Sequence, residues 1–138
     1  VRILGIDFGE RRIGLAISDE EGKIAFGFGV IDTKKEDVFK RLMEVVCSKN
    51  IEEIVIGLPT NMNGTIGKRA EKVASFAKDI ASSLGVKVRL WDERLTTTPA
   101  ERILIEADLS RKKRKAVIDE LSATIILQNY LDYLSRKT

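Results

Sequence analysis

The chain has 138 residues, 43% hydrophobic and 33% charged, with one cysteine and no histidine. That inventory suits a single domain spanning 1–138. It excludes Ser-His-Asp and Cys-His nucleophiles, zinc held by histidine or cysteine clusters, and any intrachain disulfide. The formal charge is +3, yet five of the 24 basic residues stand together as Arg111-Lys112-Lys113-Arg114-Lys115, and without them 19 basic residues face 21 acidic ones. The positive excess is therefore local, as suits a polyanion contacted at one place.

Taken in order, Ile3, Leu4 and Ile6 form a short apolar run that ends at Asp7. Residues 13–18 and 24–30 make two further strands, joined by the hairpin signal Asp19-Glu20-Glu21-Gly22. Thr33-Lys34-Lys35-Glu36 reads as a capping box opening a helix, whose apolar stripe is Val38, Leu42, Val45 and Val46. Cys47 falls on that helix as a small buried hydrophobe. A β-branched strand over 51–57 leads into the loop Leu58-Pro59-Thr60-Asn61-Met62-Asn63-Gly64-Thr65, then a helix over 68–84 with Gly85 as its stop. The strand over 86–91 ends in Asp92-Glu93-Arg94. Thr98-Pro99-Ala100-Glu101 predicts a short helix fading at Asp108, the basic run follows, and a last helix spans about 117–134. No apolar stretch reaches the ~20 residues of a spanning helix. The first residues carry no signal-peptide pattern, so a cytoplasmic protein is expected.

The order β-β-β-α-β-α-β-α-α predicts an α/β fold. Strands 1–3 form an antiparallel meander, strands 4 and 5 lie parallel to strand 1, and helices cover both faces. Ligands of such sheets collect beyond the carboxyl ends of the parallel strands. Those ends are at Asp7, Gly57 and Trp91-Asp92. Gly9, two residues past Asp7, leaves room for an ion or phosphate to approach the backbone. Strand alternation puts Asp92 and Glu93 on opposite faces, so one of them reaches the shared edge, and the spacing leaves both open. Asp119 leads the strip Ser122, Ala123, Ile126 and Tyr130, which is small or apolar and should pack on the sheet. Carboxylates gathered this closely need protons or cations. With oxygen donors only, Mg²⁺ or Mn²⁺ fits, and would activate water for phosphodiester cleavage. The basic run gains nothing from the dipole of the helix it precedes, which favours a grip on a nucleic-acid backbone. Arg11, Arg12, Lys68, Arg69 and Arg94 can ring the same edge. Two phosphate motifs fail: Met62 and Arg69 break a Walker A pattern around Gly67-Lys68, and Asp32 stands where a Rossmann glycine belongs.

Four ordered segments carry a wider resemblance. They are Asp7-Phe8-Gly9-Glu10-Arg11-Arg12-Ile13-Gly14-Leu15-Ala16, Gly57-Leu58-Pro59-x-Asn61-Met62-x-Gly64, Asp92-Glu93-Arg94-Leu95-Thr96-Thr97 and Asp119-x-x-x-Ala123-x-x-Ile126-Leu127-Gln128. The chain resembles, nearly end to end, the YqgF or RuvX family of ribonuclease H-like proteins. The resemblance implies a five-stranded sheet and a divalent-metal nuclease. Members are described as Holliday junction resolvases and as nucleases maturing the 5′ end of pre-16S ribosomal RNA. It places the family's acids on Asp7, Glu93 (with Asp92 beside it) and Asp119, and makes 57–64, with Gly57, Pro59, Asn61 and Gly64, a loop lining the groove. Glu10, Asn63 and Ser122 depart mildly from the usual pattern. The implied partner is structured RNA such as a ribosomal precursor, or branched DNA, with no membrane, and with monomer and homodimer both open. Two alternatives are a non-catalytic nucleic-acid-binding module and an actin- or hexokinase-type phosphotransferase. The latter needs two such domains to enclose its nucleotide.

Overall fold

The computed structural model describes residues 2–58, 67–92 and 111–137, without the side chains of 111–118 and 137. The predicted helix over 98–108, Glu93, Arg94 and the loop residues Pro59, Asn61 and Gly64 lie outside these. Five strands form one sheet: β1 Arg2–Asp7, β2 Arg12–Ser18, β3 Ala25–Asp32, β4 Ile51–Leu58 and β5 Lys87–Asp92. Their order is β3-β2-β1-β4-β5. β2 runs antiparallel to β1 and β3, while β4 and β5 run parallel to β1, as expected. The β2–β3 turn is fixed by Asp19, whose carboxylate accepts from the backbone N–H of Lys23 and Ile24 at 2.7 and 3.0 Å. These backbone donors hold its carboxyl below the usual aspartate range.

Period-2 alternation divides the core into two layers. Leu4, Ile6, Ile13, Leu15, Ile54 and Ile56, all without exposed surface, face helices α1 (Val38–Ser48) and α2 (Lys68–Leu84). Each such side chain contributes ~1.5–3 kcal/mol by burial. Ile3, Ala16, Val55 and Trp91 face the long helix α3 (Arg111–Lys137), through Ala123, Ile126, Leu127 and Tyr130. The predicted Ser122–Tyr130 strip is thus buried on the sheet. Gly85, at φ +66°, ends α2 with its N–H on the Ala81 carbonyl.

Three local expectations change. Helix α1 is capped by Asp37, which accepts from Lys40 N at 3.2 Å, and not by Thr33. Asp32 organises the preceding turn instead, and the Thr33 hydroxyl is drawn to the carbonyls of Glu10 and Arg11 at 2.6 and 3.0 Å, tying down the β1–β2 connection. Cys47 is exposed. At 100° per residue it falls five positions from buried Leu42 and points away from the sheet, beside Met43. The basic run does not precede the last helix but forms its first turns, because Lys and Arg are good helix formers.

Between α3 and the sheet, the Tyr130 hydroxyl donates to Glu53 Oε2 at 2.9 Å. Burial, reinforced by the hydrogen bond to Glu53 and that residue's charge, pushes the phenol up to about 12. A raised phenol favours the neutral form in the folded state. Its stabilisation is therefore complete below the unfolded value of about 10 and lost as pH rises towards about 12. Urea denaturation across that window should show wild type losing more stability than Tyr130→Phe. Parallel losses would remove Tyr130 as the cause.

Candidate functional site

Asp7 closes β1 and is half-buried. Its partner across the antiparallel ladder is Gly14 of β2. Directly opposed residues share a face, so Asp7 lies on the α3 side of the sheet. Gly14 is where α3 comes closest: a Cβ added there would stand 1.8 Å from the Asp119 carbonyl oxygen and 2.3 Å from its carbon. Gly5 admits the same helix one turn-pair later, where a Cβ would stand 2.7 Å from that of Leu127. Glycine in a strand thus permits close backbone approach, and here it sets Asp119 over the Asp7–Gly14 pair. Residues 112 positions apart in sequence are thus set on one face of the same sheet edge through one missing side chain.

The Asp119 carboxylate accepts from Arg12 Nε at 2.9 Å, with both side chains partly exposed. They line a cleft of about 550 Å³ together with Phe8, Gly9, Glu10, Arg11, Lys68, Arg69 and Lys72. The lining carries five cations against two carboxylates, so the cleft is strongly positive. Phe8 anchors its floor against Phe76 of α2, with ring centroids 4.4 Å apart. Arg69 Nη2 donates to the Phe8 carbonyl at 3.4 Å. Arg11 is held by Asp32 at 3.1 Å. Lys72 pairs with Glu10, and its hydrogen bond and charge hold the Glu10 carboxyl below the usual range.

The structure therefore brings together Gly9, Arg11, Arg12, Lys68, Arg69 and Asp119 around the cleft, and sets Asp7 on the sheet face that Asp119 covers. It adds Lys72, which the sequence reading does not single out. Lys72 stands four residues after Lys68 on the same helix face, and that spacing is the available signal. Asp92 is not brought to this face. Trp91 packs edge-on against Tyr130 of α3, with centroids 5.5 Å apart, and Val88 packs on the opposite core, so Asp92 lies with Val88 and Leu90 towards α1 and α2. Gly57 pairs with Trp91 and is buried at the edge. Among the described residues, no three carboxylate or thiol groups gather as a metal cluster. Gln128, in the last of the four segments, serves the fold: its side chain accepts from Ala25 N and donates to the Lys23 carbonyl, both at 2.9 Å, clamping α3 to the β2–β3 hairpin.

Comparison with known proteins gives a consistent picture. The family model described as "RuvX: Holliday junction resolvase" matches residues 1–133. A protein of Halothermothrix orenii named "Putative pre-16S rRNA nuclease" is 50% identical over 137 residues, covering 99% of this chain and 98% of its own. One of the same name from Listeria innocua is 51% identical over 135 residues, covering 96% and 98%. Among solved structures, Thermus thermophilus RuvC superposes with a TM-score of 0.66 at 16% identity, over 100% of this chain and 98% of that one. The same protein in complex with a Holliday junction substrate gives 0.65 at 15%, over 99% and 96%. At such identities the likeness establishes the fold, which is ribonuclease H-like.

Proposed function

The chain belongs to the RuvX family and is a nuclease, a hydrolase of ester bonds; from this we propose that it processes the 5′ end of pre-16S ribosomal RNA using Mg²⁺ or Mn²⁺. The observation that carries the reading is the seating of Asp119 over the Asp7–Gly14 pair at the mouth of a cationic cleft. The donor set fits a hard divalent cation, since Asp7 and Asp119 offer only oxygen and the chain has no histidine. Asp7, Asp119 and Glu93 would hold it. Asp92 faces α1 and α2, which leaves Glu93, the acid that the family resemblance selects, for this role. When bound, the cation supplies positive charge to the reacting phosphate and makes water more acidic.

The chain's own residues do the remaining work. Lys68, Arg69 and Lys72, on the first turns of α2, meet backbone phosphates, and Arg12 pairs with Asp119. On the family resemblance, the basic run 111–115 and Arg94 would meet further phosphates and the segment 57–64 would line the groove. These contacts position the substrate without reading its sequence. Neutralising Lys112, Lys113 and Arg114 should weaken binding equally across sequences, and should lower the salt slope by about one for each phosphate no longer neutralised. A filter-binding series over salt concentration measures this. An unchanged slope would place the run outside the interface.

The family description and the RuvC-like fold favour a second reading, resolution of four-way DNA junctions. Paired cuts there call for a symmetric dimer. Digestion of precursor ribosomal RNA beside a four-way junction, with Mg²⁺ or Mn²⁺, decides between them. Cleavage of the RNA at its 5′ side is expected, and cutting of the junction alone would overturn the RNA reading. Either substrate is consistent with a cytoplasmic protein, and no described helix is long and apolar enough to cross a membrane.

A further inference from the structure

The two guanidinium groups at the β1–β2 edge are used differently. Arg11 is taken up by Asp32. Arg12 instead places its Nε on Asp119 Oδ2 at 2.9 Å. This is the only side-chain bond of Arg12 among the described residues, and it engages one nitrogen of three. Arg12 itself lines the cleft, together with Lys68, Arg69 and Lys72. One carboxylate thus carries a fixed monovalent cation at the place where a divalent one is proposed to bind.

We propose that Arg12 is a displaceable counter-ion for Asp119, occupying its carboxylate until a substrate phosphate draws the guanidinium into the cleft. The inference rests on the proposed cation site and adds a coupling to it. A guanidinium and a divalent cation on one carboxylate repel each other, so each weakens the other's hold. Guanidinium matches phosphate geometry with paired N–H donors, and Arg12 has such a pair unused. Transfer of Arg12 from Asp119 to phosphate removes the competitor for the cation. Cation and nucleic acid then strengthen each other's binding by the same factor, as linkage demands. The protein would hold its cation weakly when idle and firmly when loaded. Arg12 is thereby a positioning residue that acts through Asp119.

The test is a Mn²⁺ titration of the full chain without nucleic acid, read by the electron paramagnetic resonance of free Mn²⁺. Arg12→Gln removes the competing charge and should bind Mn²⁺ roughly tenfold more tightly than wild type, within the usual range of coupling between sites. Arg12→Lys, which keeps the charge but not the fork, should fall between the two. Arg12→Gln should also cleave more slowly despite its tighter cation, a split that a merely structural defect does not give. Equal or weaker Mn²⁺ binding by Arg12→Gln overturns the proposal and makes Arg12 a support for the ligand rather than a rival to the cation. Asp7→Asn in the same series separates the two levels. If wild type binds Mn²⁺ and Asp7→Asn does not, the cation site stands whatever Arg12 does. If Asp7→Asn binds as wild type does, the site itself is misplaced.

Discussion

Replacing Asp7 by asparagine should lower phosphodiester cleavage at least about a hundredfold while leaving folding, and nucleic-acid affinity measured without divalent cation, almost unchanged. The magnitude follows from metal sites in general, where removing even an outer supporting group costs about 10- to 100-fold and a direct ligand no less. The sparing of the fold follows from the backbone. Asp7 is held in β1 by its ladder to Gly14, which asparagine keeps, and the side chains are nearly equal in size. Affinity is spared because the cations of the cleft and of 111–115 are untouched. Gel-shift binding, thermal denaturation and cleavage of one RNA, measured on the same preparation, separate the three. Cleavage at the wild-type rate would show that the acids here are structural, as the non-catalytic module requires. Loss of binding along with cleavage would show instead that Asp7 shapes the cleft.

Gly14→Ala should damage both stability and cleavage. No rotamer choice relieves the clash, because the added carbon is fixed to the backbone and its neighbour is the Asp119 carbonyl, also backbone. Either α3 lifts from β2 or the sheet bends. Overpacking of this kind costs ~1–3 kcal/mol, and more where backbone meets backbone. Lifting α3 also carries Asp119 away from Asp7. The urea midpoint should fall by the equivalent of about 3 kcal/mol, with cleavage reduced even under conditions where the variant is fully folded. A variant as stable as wild type would mean that α3 does not cross the sheet at Gly14.

The two glycines at the α3 crossing mark where sequence reasoning reaches its limit. The apolar run Ile3, Leu4 and Ile6, the β-branched run of β4 and the helical strip from Ser122 to Tyr130 are local patterns, and they suffice for the strand directions and for a face of α3 that packs on the sheet. Asp7 and Asp119 are legible as acids at a strand end and on that strip. What brings them together is the absence of a side chain at Gly14, and a glycine within a strand announces only that something passes close, not what. Asp92 and Glu93 are ambiguous in sequence because alternation fixes their difference but not its sign. For Asp92 it depends on Trp91 choosing the Tyr130 side, a tertiary contact. Thr33-Glu36 and Asp37 are both sound capping signals four residues apart, and the selection of Asp37 depends on Thr33 being claimed by the Glu10 and Arg11 carbonyls across the sheet. The basic run reads as a loop only while charge density is weighed above helix propensity.

If Asp7 and Asp119, with Glu93, form a cation site that exists only because α3 rests on Gly14, the ion itself is the most direct probe. Calorimetric titration of Mn²⁺ into wild type and into Asp7→Asn/Asp119→Asn at neutral pH supplies the measurement. Saturable binding by wild type and none by the double variant is the expected result. Equal binding by the two proteins, or none by either, would contradict it.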